Sequence, residues 1–131
     1  MERLDLYRCD ICGNMVEIRI SGGGELVCCG KPMKKLEPKY HEEAVMEKHV
    51  PIIIKHDDKN GEIRVGEILH PMTDEHYIMF IQAISDDKKY SSLKYLNPNE
   101  EPKMLLDNLE HKIYAREFCN IHGLWEGKNN D

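Results

Sequence analysis

The chain has no long apolar run. Its longest aliphatic stretch is Ile52-Ile53-Ile54, far short of the roughly 20 residues a membrane-spanning helix needs. The opening residues, Met1-Glu2-Arg3-Leu4-Asp5-Leu6, carry no apolar segment of signal-peptide type. Positive charge is the minority sign, with 18 Lys and Arg against 24 Asp and Glu and a net charge of −6. That balance excludes a basic nucleic-acid footprint and argues against an anionic membrane surface as partner. Repeats, low-complexity tracts and a convincing amphipathic helical pattern are also missing. Cysteine is scarce and odd in number, at 5, and four of the five stand before residue 30. Without a secretory signal, such a cluster points to metal binding in the cytoplasm rather than to a disulfide framework. A length of 131 residues allows one domain, or one with a small appendage.

What is present begins with a knuckle. Cys9-Asp10-Ile11-Cys12-Gly13 places two thiols around two residues, then a glycine that permits a tight turn and lets backbone N–H groups face the sulfurs. Val16, Ile18 and Ile20 alternate as a strand does, Gly22-Gly23-Gly24 marks a turn, and Glu25-Leu26-Val27 leads to Cys28-Cys29-Gly30. The expectation is a short hairpin region with two cysteines at each end. A segment of this size buries too little apolar surface to fold alone, so a metal must supply much of its stability. Four thiolates in a tetrahedron suit zinc and iron about equally. The adjacent pair Cys28-Cys29 should distort that tetrahedron, because neighbouring side chains must both turn to one ion.

From Leu36 to Met46 the chain becomes polar and charged, which places the boundary between two domains, 1–36 and 37–131. His41 falls in this linker. Beyond it, strand-like segments follow at close spacing. Val50, Ile52 and Ile54 alternate, Asn60-Gly61 carries a hairpin signal, and Ile63 and Val65 begin a return strand. Tyr77 to Ile84, Tyr90 to Leu96, Met104 to Leu106 and Lys112 to Phe118 continue the series, with Leu124-Trp125-Glu126 as a last edge. About seven strands predict an immunoglobulin-like β-sandwich. The fold class is therefore mainly β, a small four-cysteine domain followed by a seven-stranded sandwich.

Chemistry concentrates in Cys119-Asn120-Ile121-His122-Gly123, where a strand runs into a turn and a thiolate and an imidazole can face one ion. Upstream stand His49 in Glu47-Lys48-His49-Val50-Pro51 and the pair His70 and His76 in His70-Pro71-Met72-Thr73-Asp74-Glu75-His76. Each histidine alone has a bland reading as a surface or core imidazole. Together they offer four imidazoles and a thiolate at strand ends and turns, while His41, His56 and His111 read as solvated. Five donors exceed what tetrahedral zinc takes. They suit iron in a square pyramid with a sixth position open, and a thiolate opposite that position would push electron density onto the metal. Such an ion is suited to inner-sphere reduction of a small oxygen species.

These motifs together resemble the desulfoferrodoxin family, the two-iron superoxide reductases, over essentially the whole chain. The resemblance implies a desulforedoxin-like, rubredoxin-type iron centre held by Cys9, Cys12, Cys28 and Cys29. It implies a second mononuclear iron with His49, His70, His76 and His122 as equatorial ligands and Cys119 as the axial one. It further implies one-electron reduction of superoxide to hydrogen peroxide, with Glu47 closing the sixth position of the ferric form and Lys48 lying over the open ferrous site. A rubredoxin-like electron donor, a homodimer and a cytoplasmic setting come with it. Substitution by zinc or calcium, or a further structural ion, is left open. The sequence departs from the family in having Glu75 where some members carry a lysine, and Leu124 where many carry a histidine that is not a ligand. A non-catalytic electron carrier, cupredoxin-like or rubredoxin-like, is the competing reading. Against the blue-copper version, no methionine follows His122 and two histidines would be left over. A zinc ribbon fused to a sandwich explains the cysteines but not the histidines.

Overall fold

The computed structural model describes residues 1–40, 49–66, 70–107 and 112–128. His41, Glu47, Lys48 and His111 lie outside the described residues. The chain divides into two units, Met1–Glu37 and Pro38–Asp131.

In the first unit, β1 (Leu6–Arg8) lies between β2 (Met15–Glu17) and β5 (Lys34–Lys35), while β3 (Val27–Cys28) and β4 (Lys31–Pro32) form a separate hairpin. Leu4, Leu6, Cys9 and Ile18 are its buried apolar residues. The strand expected through Ile20 stops at Glu17, and Ile20 is 88% exposed. The cause lies in the partner strand. Leu4 adopts φ 73, which ends the extended backbone of β1 before it could pair further. Ile18 instead closes an irregular pair, accepting from Leu4 N at 2.6 Å and donating to Asp5 O at 2.9 Å.

The second unit is a two-sheet sandwich of seven described strands. They are β6 (Pro51–Lys55), β7 (Gly61–Val65), β8 (Ile78–Ser85), β9 (Ser91–Tyr95), β10 (Lys103–Leu106), β11 (Ile113–Cys119) and β12 (Gly123–Lys128). One sheet runs β10-β7-β6 and the other β12-β11-β8-β9. Lettered A to G, these are sheets A-B-E and G-F-C-D. The fourth strand therefore joins the third rather than the fifth, unlike the constant-domain immunoglobulin arrangement. Ile63 and Val65 of β7, Met104 and Leu106 of β10, and Ile81, Ala83, Ala115 and Cys119 of the facing sheet share one core. Strand alternation puts each of these on the inner face.

Two local features depart from the sequence expectation. The β6–β7 hairpin turns through His56–Asn60, with Lys55 opposite Gly61, so Gly61 begins a strand instead of sitting in a two-residue turn. The Asp57 carboxylate decides this, because its Oδ1 accepts from Lys59 N and Asn60 N, both at 2.8 Å. In β8, Phe80 pairs with Phe118 and Ile78 with Cys119, so Met79 is an extra residue, a bulge. The bulge returns Ile78 to the inner face beside Cys119.

Candidate metal centres

The first candidate group is built by two turns. Cys9 and Cys12 occupy the connection from β1 to β2, where Gly13 at φ 82 donates its N–H to Cys9 O at 3.0 Å. Backbone N–H groups do reach the sulfurs: Cys12 N lies 3.5 Å from Cys9 Sγ, and Asn14 N lies 3.5 Å from Cys12 Sγ. Cys29 and Gly30 form the two-residue turn between β3 and β4, with φ of 51 and 75. Positive φ at both positions is the type I′ hairpin geometry. It breaks the strand alternation that would send Cys28 and Cys29 to opposite faces, and so answers the strain expected of an adjacent pair. The four Sγ atoms fall within 4.8 Å of one another. The N–H of Cys12, with smaller help from neighbouring groups, brings the Cys9 thiol down to about 6. Sharing its proton with Cys12 and the other thiols pushes Cys29 up to about 12. A soft divalent or trivalent cation would displace those shared protons.

The second candidate group joins residues far apart in sequence. Ligand atoms of His49, His70, His76, Cys119 and His122 all lie within 4.8 Å of one another. His49, His70 and Cys119 are buried, at 1%, 3% and 0% exposure. Cys119 ends β11, and Gly123, at φ 85, turns the chain back into β12 so that His122 swings beside it. His122 N lies 3.4 Å from Cys119 Sγ, and its Nδ1 lies 3.8 Å from the same sulfur. Asn120 ties this turn to the one holding His76. Its Oδ1 accepts from Tyr77 N at 3.0 Å, and its Nδ2 donates to Glu75 O at 3.0 Å. Thr73 closes the same turn, with its Oγ1 accepting from His76 N at 3.1 Å.

The donor chemistry fits a cation. His70 Nδ1 donates to Pro71 O at 2.7 Å, which leaves Nε2 as the free lone pair. That nitrogen faces His49 Nε2 at 2.9 Å inside the buried cluster. Burial, with the neighbouring imidazoles His49, His76 and His122, holds the His70 pKa down to about 4, so the ring is neutral at pH 7. Metal–nitrogen bonds of about 2.1 Å put adjacent donors about 3 Å apart and opposite ones about 4 Å apart. The 2.9 Å between His70 Nε2 and His49 Nε2 matches an adjacent pair, and the 4.8 Å that bounds the whole group leaves room for opposite ones. Burial raises the Cys119 thiol, partly offset by backbone N–H groups of His122 and Ile121. A cation would be needed to draw off its proton.

Two supporting residues were not legible in the sequence. Trp125, fully buried, stacks on His49 with ring centroids 5.0 Å apart and donates Nε1–H to His122 O at 3.2 Å. Gly127 faces β6 so closely that an added Cβ would fall on the Pro51 carbonyl oxygen, well inside van der Waals contact. Pro51 lies two residues after His49, so this close approach sets where the histidine enters the cluster. Only the exclusion of every side chain from Gly127 could have signalled it. Of the other histidines, His56 is a hydrogen-bond partner rather than merely solvated: its Nε2 lies 2.8 Å from Glu62 Oε1.

Two family models match the chain, "Desulfoferrodoxin, N-terminal domain" over residues 1–36 and "Desulfoferrodoxin" over residues 41–128. The chain belongs to the desulfoferrodoxin family. It is 44% identical over 128 residues to a desulfoferrodoxin of Desulfarculus baarsii, covering 98% of each chain. It is 37% identical over 100 residues to a superoxide reductase of Thermococcus kodakarensis, covering 63% of this chain and 85% of that one. In fold it is similar to the superoxide reductase of Treponema pallidum, with TM-score 0.72, 24% identity, and coverage of 96% and 98%. The two groups of ligand atoms are those expected of a two-iron desulfoferrodoxin. Among the described residues no helix is long and apolar enough to cross a membrane.

Proposed function

We propose that this chain is a superoxide reductase, which adds one electron and two protons to superoxide and releases hydrogen peroxide. The observation that carries the reading is the convergence of four imidazoles and one thiolate on one buried point, in a family with relatives named superoxide reductases. Residues 1–36 form a desulforedoxin-like domain that holds one iron with Cys9, Cys12, Cys28 and Cys29. Residues 37–131 would hold a second iron through His49, His70, His76, His122 and Cys119. That second iron supplies the electron when bound.

The chain's own residues do the rest. The Pro71 carbonyl fixes the His70 tautomer, so a lone pair rather than an N–H meets the metal. Trp125 and Asn120 hold the His122 and His76 turns in place. Cys119, as thiolate, would raise the electron density of a metal held there. Glu47 is the carboxylate for the oxidised metal, and Lys48 is the cation that draws the anion. Superoxide approaches a protein of net charge −6, so a local positive charge must offset the global field. The electron comes from a rubredoxin-like donor, the protein acts as a homodimer in the cytoplasm, and zinc or calcium is a substitute rather than the working metal.

Mixing the reduced, iron-loaded protein with pulses of superoxide tests the reading. The expected result is one peroxide per superoxide and no oxygen. Half a molecule of oxygen per superoxide would indicate dismutation, and an inert ferrous centre would leave only an electron carrier. Cys119→Ser should lose the ferric thiolate colour and the reaction. Lys48→Ile should slow the bimolecular step about three- to tenfold, the order of effect expected from removing one unit charge that attracts the anion at an effective dielectric of about 40–80. Its salt dependence should flatten. Equal rates and salt slopes would remove Lys48 from this role.

A further inference from the structure

Pro38–Tyr40 lies in the stretch that composition alone marks as linker, yet it docks on the sandwich. Lys39 N donates to Leu124 O at 3.0 Å, and Glu126 N donates to Lys39 O at 3.1 Å. These bonds make a parallel bridge between Lys39 and Trp125 of β12. The side chain follows the backbone. Lys39 Nζ sits 5.6 Å from the centroid of the Trp125 ring and donates to His122 O at 3.4 Å. The same carbonyl accepts from Trp125 Nε1 at 3.2 Å, and the same indole stacks on His49. One ammonium is thus tied to two members of the buried cluster, to His122 by a hydrogen bond and to His49 through a shared aromatic ring.

We infer that Lys39 is a second functional cation of the histidine–cysteine centre, distinct from Lys48, which positions His122 and biases the bound metal toward its lower charge. The inference rests on the proposed iron at this centre. Trp125, 0% exposed, fills the space beside the ligands and keeps water out of it. Lys39 is only partly buried, so solvent screens much of its charge, but the short path through the indole and the His122 carbonyl keeps that charge close to the ligands. A fixed positive charge there disfavours the ferric state, which carries one more charge than the ferrous. Charge-assisted donation to a ligand's own carbonyl is stronger than a neutral hydrogen bond and restrains the turn that aims the imidazole. Because main-chain atoms alone form the bridge to β12, side-chain substitution leaves the docking of this segment intact.

The test is a redox titration of the iron-loaded protein, following the ferric thiolate absorption of the histidine–cysteine centre. The four-cysteine centre of the same sample serves as internal standard. Lys39→Met should move the ferrous–ferric balance of the first of these about two- to fivefold toward ferric, for a unit charge within about 10 Å at an effective dielectric of about 40–80. That equals a fall of about 20–40 mV at 59 mV per tenfold. Lys39→Arg should stay near wild type, and the four-cysteine centre should not move in either variant. An unchanged balance in Lys39→Met, an equal shift in Lys39→Arg, or a parallel shift of both centres would each overturn the inference. A wild-type centre that titrates normally but ignores superoxide would sink the proposed function and leave this inference standing. Failure of wild type to take iron there would sink both.

Discussion

The two candidate centres differ in what holds their donor atoms in place. The four-cysteine group hangs on two turns of a unit whose buried apolar residues are Leu4, Leu6, Cys9 and Ile18. Two of its cysteines, Cys12 and Cys29, are exposed. The histidine–cysteine group grows from a sandwich with a shared core running from Ile63 to Cys119, and three of its five residues are buried. In the first, the ion must organise its own ligands, because the unit has too little core to hold four thiols together. In the second, packing organises the ligands before any ion arrives. A fold that sets donors in advance can also withhold a sixth, leaving room for a small anion. Two turns on a unit with so small a core cannot do so.

The largest expected break in this comparison comes from removing metal. Chelation should unfold Met1–Glu37 while the sandwich stays folded. Hydrogen exchange would show lost protection over residues 1–37 with protection kept in β8 and β11. Joint loss of both units in one transition would mean that the sandwich, too, depends on metal. Cys9→Ser should reproduce the selective loss without chelator and spare the superoxide reaction.

Gly127→Ala strikes the opposite side. A methyl at this position meets backbone rather than a movable side chain, so β6 must shift. Overpacking of this kind costs about 1–3 kcal/mol, or roughly 5–20 °C in melting temperature. The absorption of the four-cysteine centre should be unaffected, whereas iron at the histidine–cysteine centre should bind more weakly as His49 is displaced. Unaltered melting and unaltered iron uptake would show that β6 and β12 have slack.

A smaller effect separates two carboxylates within the sandwich. Glu117 is fully buried, and neither carboxyl oxygen has a hydrogen-bond partner among the described residues. Desolvation therefore raises its pKa well above the ordinary value. The sign follows directly. Below about 4.5 the group is protonated whether folded or unfolded and costs nothing extra. As pH rises, the unfolded chain ionises first and the fold loses about 1.4 kcal/mol per unit until the folded pKa is reached. Glu117→Gln should remove that slope in metal-free protein, and identical pH profiles for the two would refute it.

Glu62 runs the other way. Its bond to Arg64, at 2.8 Å, outweighs burial and lowers its pKa. Its stabilising effect is present above the unfolded value near 4.5 and is lost as pH falls through the folded one. Glu62→Gln should cost about 1 kcal/mol at pH 7 and nothing in strong acid. A constant difference across pH would point to packing instead of charge.

Local chemistry carried much of the plan into the sequence. Cys9-x-x-Cys12 and Cys28-Cys29-Gly30 reveal their turns because glycine and short spacing act over a few residues. Short apolar runs punctuated by turn residues likewise revealed the seven strands of the sandwich, since both signals are local to each strand. Choosing four histidines from seven was also legible, because each stands beside a turn or a strand end. Tertiary structure alone decided that residues 49, 70, 76, 119 and 122 meet at one point. Their meeting depends on which strands pair, on the Met79 bulge that restores the inner face beside Cys119, and on the bare backbone of Gly127. It alone showed, too, that Lys39 is no linker residue, since a charged side chain looks the same in sequence whether it faces water or a buried indole. Turn geometry is set by neighbours along the chain, whereas convergence is set by pairing between distant strands, to which local composition is blind.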